Sequence, residues 1–260
     1  MAAMTNMTKT QKINAYLQRI GFTSTPKLDF DTLHTLQRKH LQAIPYENID
    51  ILRNVPISLD IDDIFEKIVV RGRGGYCFEL NALFAWLLRG LGFTVADYFA
   101  RFLFNESEIP MRRHHVLGVS FGSERYLCDV GVGLVIPRTP ILLAEGTVSE
   151  QDGDCYKLMK EDFLGYVLYT LKSDGWRQLY SFTEEEQIKA DYMVTSFWCE
   201  HHPDSIFRAG NMVHIFTENG RKSIAGNELR IFSPAGVEVV DVATEDEYKK
   251  LLKLHFGINL

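Results

Sequence analysis

The hydrophobic period of this chain changes twice, and that change limits the folds open to it. Ile13, Tyr16, Leu17 and Ile20 form an i, i+3, i+4, i+7 stripe that Gly21 stops. The spacing predicts a second helix over residues 30–43, with Leu33, Leu36 and Leu41 inward and Pro45 beyond its end, and a third over residues 61–70. A fourth follows Gly74-Gly75, carries Leu80, Leu83, Phe84, Leu87, Leu88 and Leu91, and is expected to end at Gly90 and Gly92. So many apolar positions imply burial on most sides. From Phe93 the pattern turns to strands. Residues 93–104 are rich in aromatic and β-branched side chains, and residues 116–121 and 126–130 flank Gly122-Ser123-Glu124-Arg125 as a hairpin. Residues 167–172 and 176–182 flank Ser173-Asp174-Gly175 as another. The last third is mixed. Thr183 with Glu186 has capping-box spacing and predicts a helix start, short strands follow over residues 212–217, 222–225 and 229–232, and Thr244 with Glu247 opens a helix through Leu254. The class is α+β: a helical first third, a small β-barrel in the middle, and a mixed end.

Composition excludes several function classes. The chain has 260 residues, is 46% apolar and carries a net charge of −6. It can bury a core without staples, and it has none of the basic bias of a nucleic-acid binder. The four cysteines, Cys77, Cys128, Cys155 and Cys199, are far apart with no Cys-x-x-Cys, which points to reduced thiols in the cytoplasm rather than a disulfide framework or zinc ribbon. Residues 1–9 lack the apolar core of a signal peptide. No apolar run reaches about 18 residues, so no membrane-spanning helix is expected.

The chemistry is written in Arg71-Gly72-Arg73-Gly74-Gly75-Tyr76-Cys77-Phe78-Glu79-Leu80-Asn81. Glycines give a tight turn and let another group approach the backbone. Cys77 then stands at a helix N-terminus, whose free N–H groups and partial positive charge stabilise a thiolate. Arg71 and Arg73 add positive charge if they turn inward. The competing reading is an ordinary buried cysteine. A nucleotide cradle lacks support, because no Gly-Lys-Ser/Thr or G-x-G-x-x-G follows a strand.

A nucleophilic cysteine needs a histidine, and the histidine an orienting acceptor. His114 and His115 open one strand of the first hairpin and Asp129 lies on its return strand. With residues 122–125 as a four-residue loop, Phe121 faces Tyr126 and Gly118 faces Asp129. Alternate residues share a face, so Asp129 shares its side with Val116 and His114, and His115 points away. Weaker candidates remain. Cys199, His201 and His202 lack a second ligand pair for a metal, so no metal is assigned. Cys128 and Cys155 read as core, residues 184–186 as the acidic first turn of a helix, and His34 and His40 as solvent-facing. Arg112-Arg113 reads as a solvated loop or an anion attractor.

Arg73-Gly74-Gly75-Tyr76-Cys77-Phe78-Glu79-Leu80-Asn81 closely resembles the nucleophile motif of the arylamine N-acetyltransferases. In the family's order, Pro45-Tyr46-Glu47-Asn48-Ile49 resembles Pro-Phe-Glu-Asn-Leu, and Arg112-Arg113-His114 its Arg-Thr-His strand entry. Asp129-Val130-Gly131-Val132-Gly133 resembles Asp-Val-Gly-Phe-Gly, and His201-His202-Pro203 with Ser205 and Phe207 its late His-Pro-x-Ser-x-Phe stretch. The resemblance implies a helical bundle over residues 1–91, an antiparallel β-barrel over 92–183 and an α/β lid over 184–260, around a cysteine-protease-like core. It implies a Cys77-His114-Asp129 triad and ping-pong acetyl transfer from acetyl-CoA to an arylamine, hydrazine or N-hydroxyarylamine, by a monomer or homodimer. Tyr46 and Val132 are its substrate-lining positions. Val132 departs from the pattern, since a phenylalanine there would offer an aryl platform. Other Cys-His-Asp enzymes, an amide synthase, a transglutaminase-like protein or a thiol hydrolase, would form the same acyl-enzyme. A binding protein that keeps the fold would leave Cys77 unreactive.

Overall fold

Capping chemistry sets the first elements. Thr8 accepts from the Gln11 backbone N–H and opens α1 (Lys9–Arg19), and Asp29 accepts from Thr32 N–H and opens α2 (Phe30–Ala43). The computed structural model describes residues 7–133 and 135–260; of the stretch read for a leader, residues 1–6 lie outside the described residues. After α2 come β1 (Tyr46–Glu47), α3 (Ile49–Leu52) and α4 (Ile61–Phe65), which runs on as a π-helical turn over Glu66–Val70. The apolar α5 (Cys77–Leu91) follows. Gly90 does not end α5 as expected. It lies inside the helix, where a Cβ would come within 2.8 Å of Ile13, and Gly92 closes the helix at φ +100°.

Eight antiparallel strands form the middle. These are β2 (Thr94–Phe102), β3 (His114–Phe121), β4 (Glu124–Cys128), β5 (Ile141–Leu142), β6 (Val148–Gln151), β7 (Asp154–Glu161), β8 (Gly165–Lys172) and β9 (Gly175–Glu186), in the order β5-β4-β3-β2-β9-β8-β7-β6. The sheet curls into a nearly closed barrel. Across its two open edges Thr139 N–H donates to Gln151 Oε1 at 3.0 Å, and Gln151 Nε2 donates back to Thr139 O at 3.1 Å. Tyr98, Leu127, Leu158, Leu168 and Tyr180 pack together within it, and α5 packs against β2 and β3 from outside.

Two sequence expectations change here. The β3–β4 turn has two residues, not four, so Phe121 pairs with Glu124 and Gly118 with Leu127. A slip of two leaves every side chain on its expected face. Thr183 and Glu186 do not start a helix either: β9 continues through Glu186, which pairs with Tyr98 of β2, and Gln187 N–H donates to Asp97 O at 2.9 Å. The ladder claims these residues, and α6 (Lys189–His201) starts after it, with Asp191 accepting from Ile188 N–H at 2.7 Å.

The last elements are β10 (Met212–Thr217), β11 (Gly220–Ala225), β12 (Glu228–Ser233), β13 (Gly236–Asp241) and α7 (Glu245–Phe256), which the Thr244–Glu247 capping box opens as expected. Their sheet has the order β1-β10-β11-β12-β13. Tyr46 pairs with His214 and bridges to Gly75, so β1 fastens the C-terminal sheet to the turn before α5. Among the described residues no helix is long and apolar enough to cross a membrane.

Candidate active site

The turn before Cys77 is built against β1. A Cβ on Gly74 would sit 2.0 Å from the Pro45 carbonyl oxygen, so only glycine lets the two segments meet. Glu47 N–H donates to Gly75 O at 2.9 Å. A buried ion cluster pins the same place. Arg73 binds Glu47 at 2.7 Å and Asp50 at 2.8 Å, and Lys67 binds Asp50 and Glu79, each at 2.8 Å. Glu79 in turn accepts from Tyr76 N–H at 3.2 Å, at the head of α5. Arg73 is thus neutralised by carboxylates and adds no field at the thiol, and Arg71 is exposed.

Cys77 is 2% exposed. Burial pushes its thiol well above the ordinary value, and Cys199 and Asp129 push the same way, against backbone N–H groups of His115 and Phe78. The lowered pKa expected from the helix terminus is therefore not found. Desolvation is the largest of these effects.

His114 opens β3 and Asp129 follows β4. His114 Nε2 lies 2.7 Å from Asp129 Oδ2, and both side chains are buried. Asn81, one turn beyond Cys77 on α5, holds this pair. Its Nδ2 donates to Asp129 Oδ1 at 2.9 Å and to His115 O at 2.7 Å, and its Oδ1 accepts from Val130 N–H at 3.0 Å. Gly131 N–H also donates to Asp129 Oδ1, at 2.8 Å. Gly131 must be glycine, because a Cβ would lie 2.5 Å from Asn81 Nδ2 and 2.8 Å from Cys77 Cα.

Cys77 and His114 open onto one cleft of about 260 Å³, with Tyr46 and Val132 in its wall and Phe102, Phe104 and His214 beside them. Asp129 stays behind His114 and does not reach the cleft. His214 stacks on Tyr46 with ring centres 5.9 Å apart, and burial, with Arg221 adding, lowers its pKa to about 4, so the ring is neutral. The five site residues expected from the sequence are thus brought together.

The other candidates lie elsewhere. His115 faces away and binds Asp97 at 2.8 Å. Cys199 is buried, while His201 and His202 stack on Phe197 and Trp198. Cys128 is buried at the end of β4 and Cys155 is half-buried on β7. Arg113 lines the cleft and pairs with Glu106. His34 is half-buried and His40 fully buried, against expectation: α2 packs on both sides, and His40 Nδ1 meets Tyr16 OH at 2.6 Å. Asn81 and His214 received no role from the sequence. The i, i+4 spacing from Cys77 was the signal available for Asn81; β10 gives none for His214.

A cysteine at a helix head beside a His–Asp pair, one residue at the start of a barrel strand and the other just past its hairpin partner, belongs to the cysteine-protease-like α+β fold. The model of the family described as N-acetyltransferase matches residues 29–260. The arylamine N-acetyltransferase of Mycobacterium tuberculosis is 33% identical over 255 residues, 95% of this chain and 89% of that protein. A Salmonella typhimurium relative, named arylamine N-acetyltransferase / N-hydroxyarylamine O-acetyltransferase, is 31% identical over 254 residues, 96% of this chain and 90% of its own. The structure of the Mycobacterium marinum arylamine N-acetyltransferase in complex with CoA matches with a TM-score of 0.88 and 32% identity, covering 95% of this chain and 93% of that one. The chain belongs to the arylamine N-acetyltransferase family and is an acetyltransferase.

Proposed function

We propose that this enzyme carries the acetyl group of acetyl-CoA to the nitrogen of an aromatic amine or hydrazine, and to the oxygen of N-hydroxyarylamines, in two half-reactions through acetyl-Cys77. The observation that carries this reading is the shared cleft of Cys77 and His114, with Asp129 bonded to the ring from behind. A carboxylate on Nε2–H leaves Nδ1 as the nitrogen that serves the thiol. The Cys77 sulfur attacks the thioester carbonyl and its proton passes to His114. The bond from carbonyl carbon to CoA sulfur breaks, and that sulfur takes the proton from His114. One thioester replaces another, so acetyl-Cys77 is within thermal reach. The acceptor nitrogen then attacks, His114 takes its proton, and the Cys77 sulfur leaves with it. The free N–H groups at the head of α5 favour the negative charge of each tetrahedral intermediate.

The names of the Salmonella and M. marinum relatives support arylamine and N-hydroxyarylamine acceptors and CoA as donor product. A thiol nucleophile works in a reducing compartment, which favours the cytoplasm. The partners are small molecules, with no nucleic acid and no membrane.

Intact-protein mass after brief mixing with acetyl-CoA tests the reading. One acetyl group is expected on the parent and none on Cys77→Ala, and an aromatic amine or hydrazine is expected to discharge it. An adduct that no such acceptor discharges would leave the acyl-enzyme and point to a different acceptor, as in the amide synthase reading. No adduct on a reduced thiol would refute acetyl-CoA as donor.

A further inference from the structure

Cys77 and His114 carry the chemistry of the cleft, and Arg113 in its wall is paired with Glu106. His214 has neither task. It shares the wall with Phe102, Phe104, Phe207 and Met212, so its imidazole is a polar group in an apolar lining. Burying such a group without hydrogen bonds costs free energy. The side chain is 7% exposed and Nδ1 is sealed without a partner, while Nε2, which makes no hydrogen bond to a described residue, keeps accessible surface. Packing holds the ring in place. Tyr46 stacks on it with 30° between the planes, and a Cβ on Gly133 would come within 2.1 Å of Cδ2 and 3.0 Å of Nε2. Glycine at 133 leaves room for this edge of the imidazole beside the cleft.

The same loop measures the cleft. Gly131, whose Cβ would lie 2.8 Å from Cys77 Cα, stands at the nucleophile, and Gly133 stands at His214. Two residues of chain span about 7 Å at most. An aromatic amine whose nitrogen attacks at Cys77 therefore brings its far end toward His214. The ring there is neutral, because burial and Arg221 lower its pKa to about 4. It offers an anion no charge, but a hydroxyl both donates and accepts and so suits either tautomer. We propose that His214 is a specificity-determining residue, whose Nε2 hydrogen-bonds a neutral hydroxyl carried by the aryl acceptor at the end away from its amine. This rests on the two-half-reaction reading above.

Discharge of acetyl-Cys77, formed beforehand with acetyl-CoA, tests it. The acceptors are 4-aminophenol and 4-methylaniline, which match in size and differ in the hydroxyl. The ratio of their rates at low concentration is divided by the same ratio for uncatalysed aminolysis of a small thioester, which removes the difference in nucleophilicity. On that scale the parent is expected to favour the phenol roughly fivefold, the scale of one hydrogen bond. His214→Phe keeps an aromatic ring against Tyr46 without the nitrogens and is expected to remove the preference. His214→Gln returns a hydrogen-bonding group and is expected to restore part of it. A parent that shows no preference, or a preference that survives His214→Phe, would overturn the proposal while leaving the two half-reactions standing. Failure of the parent to form acetyl-Cys77 would overturn that reading and this proposal with it.

Discussion

Asn81 offers the sharpest test of how the site is held. It is fully buried and makes three hydrogen bonds, two donated and one accepted. Asn81→Ala removes all three and leaves the Val130 N–H and the His115 carbonyl buried without partners. The bond to Asp129, which keeps Gly131, is worth about 1 kcal/mol net, and each of the two orphaned groups costs at least about 1 kcal/mol, so a loss of at least about 3 kcal/mol is expected. That lies within a total stability of about 5–15 kcal/mol, so the variant still folds at room temperature. At about 2–4 °C per kcal/mol, Tm falls by roughly 10 °C. Asp129 keeps His114 on Oδ2 and Gly131 N–H on Oδ1 but loses one of the two bonds that Oδ1 accepts. A misplacement of about 1 Å at this pair corresponds to roughly 100-fold in the acetylation rate. Thermal unfolding and single-turnover acetylation of Cys77 measure the two effects. A Tm within about 2 °C of the parent, with an acetylation rate within about threefold, would refute the reasoning.

Three further outcomes are expected. Burial, with Arg19 adding, lowers the pKa of His40 to about 3, so the unfolded chain binds a proton that the folded chain excludes. This contribution is whole above about pH 6.5 and is lost as pH falls, at about 1.4 kcal/mol per pH unit; in denaturant titrations at pH 7 and pH 5, His40→Asn is expected to lose about 2 kcal/mol less than the parent. Val132→Phe restores an aromatic wall and is expected to lower KM for an aromatic amine by roughly three- to tenfold, with KM for a simple hydrazine unchanged. Lys67→Met leaves Glu79 buried with no cation, while Asp50 keeps Arg73, and is expected to cost about 3–5 kcal/mol, read as a shift in the denaturant midpoint.

The helices were legible because their signals are local. Period, caps and the Gly74-Gly75 turn placed α2, α5 and α7 almost to the residue. The His114–Asp129 pairing was legible for a different reason. Strand parity is insensitive to a slip of two, so an incorrect turn length still put the right side chains on one face. What was not legible depends on distant partners. Thr183 and Glu186 look like a helix cap until β2 pairs with them. His40 looks like a surface histidine until Tyr16 and Phe84 close over it. The helix terminus alone points the Cys77 thiol to a lowered pKa, and its burial, which works the other way, is set by elements far off in sequence. The two residues of β1 carry no strand pattern, yet they join the first and last parts of the chain.

That junction bears on how the protein is made. Tyr46 cannot meet His214 until the ribosome has released β10, long after Cys77 has emerged from the exit tunnel. The contact spans most of the sequence, and contacts of that span form late in folding. During synthesis Cys77 therefore waits beside a glycine turn with no strand to clasp it, open to oxidants and to aggregation through its apolar helix. Once β10 arrives, the same strand completes the wall of the cleft and clamps the turn, so chemical competence and resistance to damage are acquired in one step.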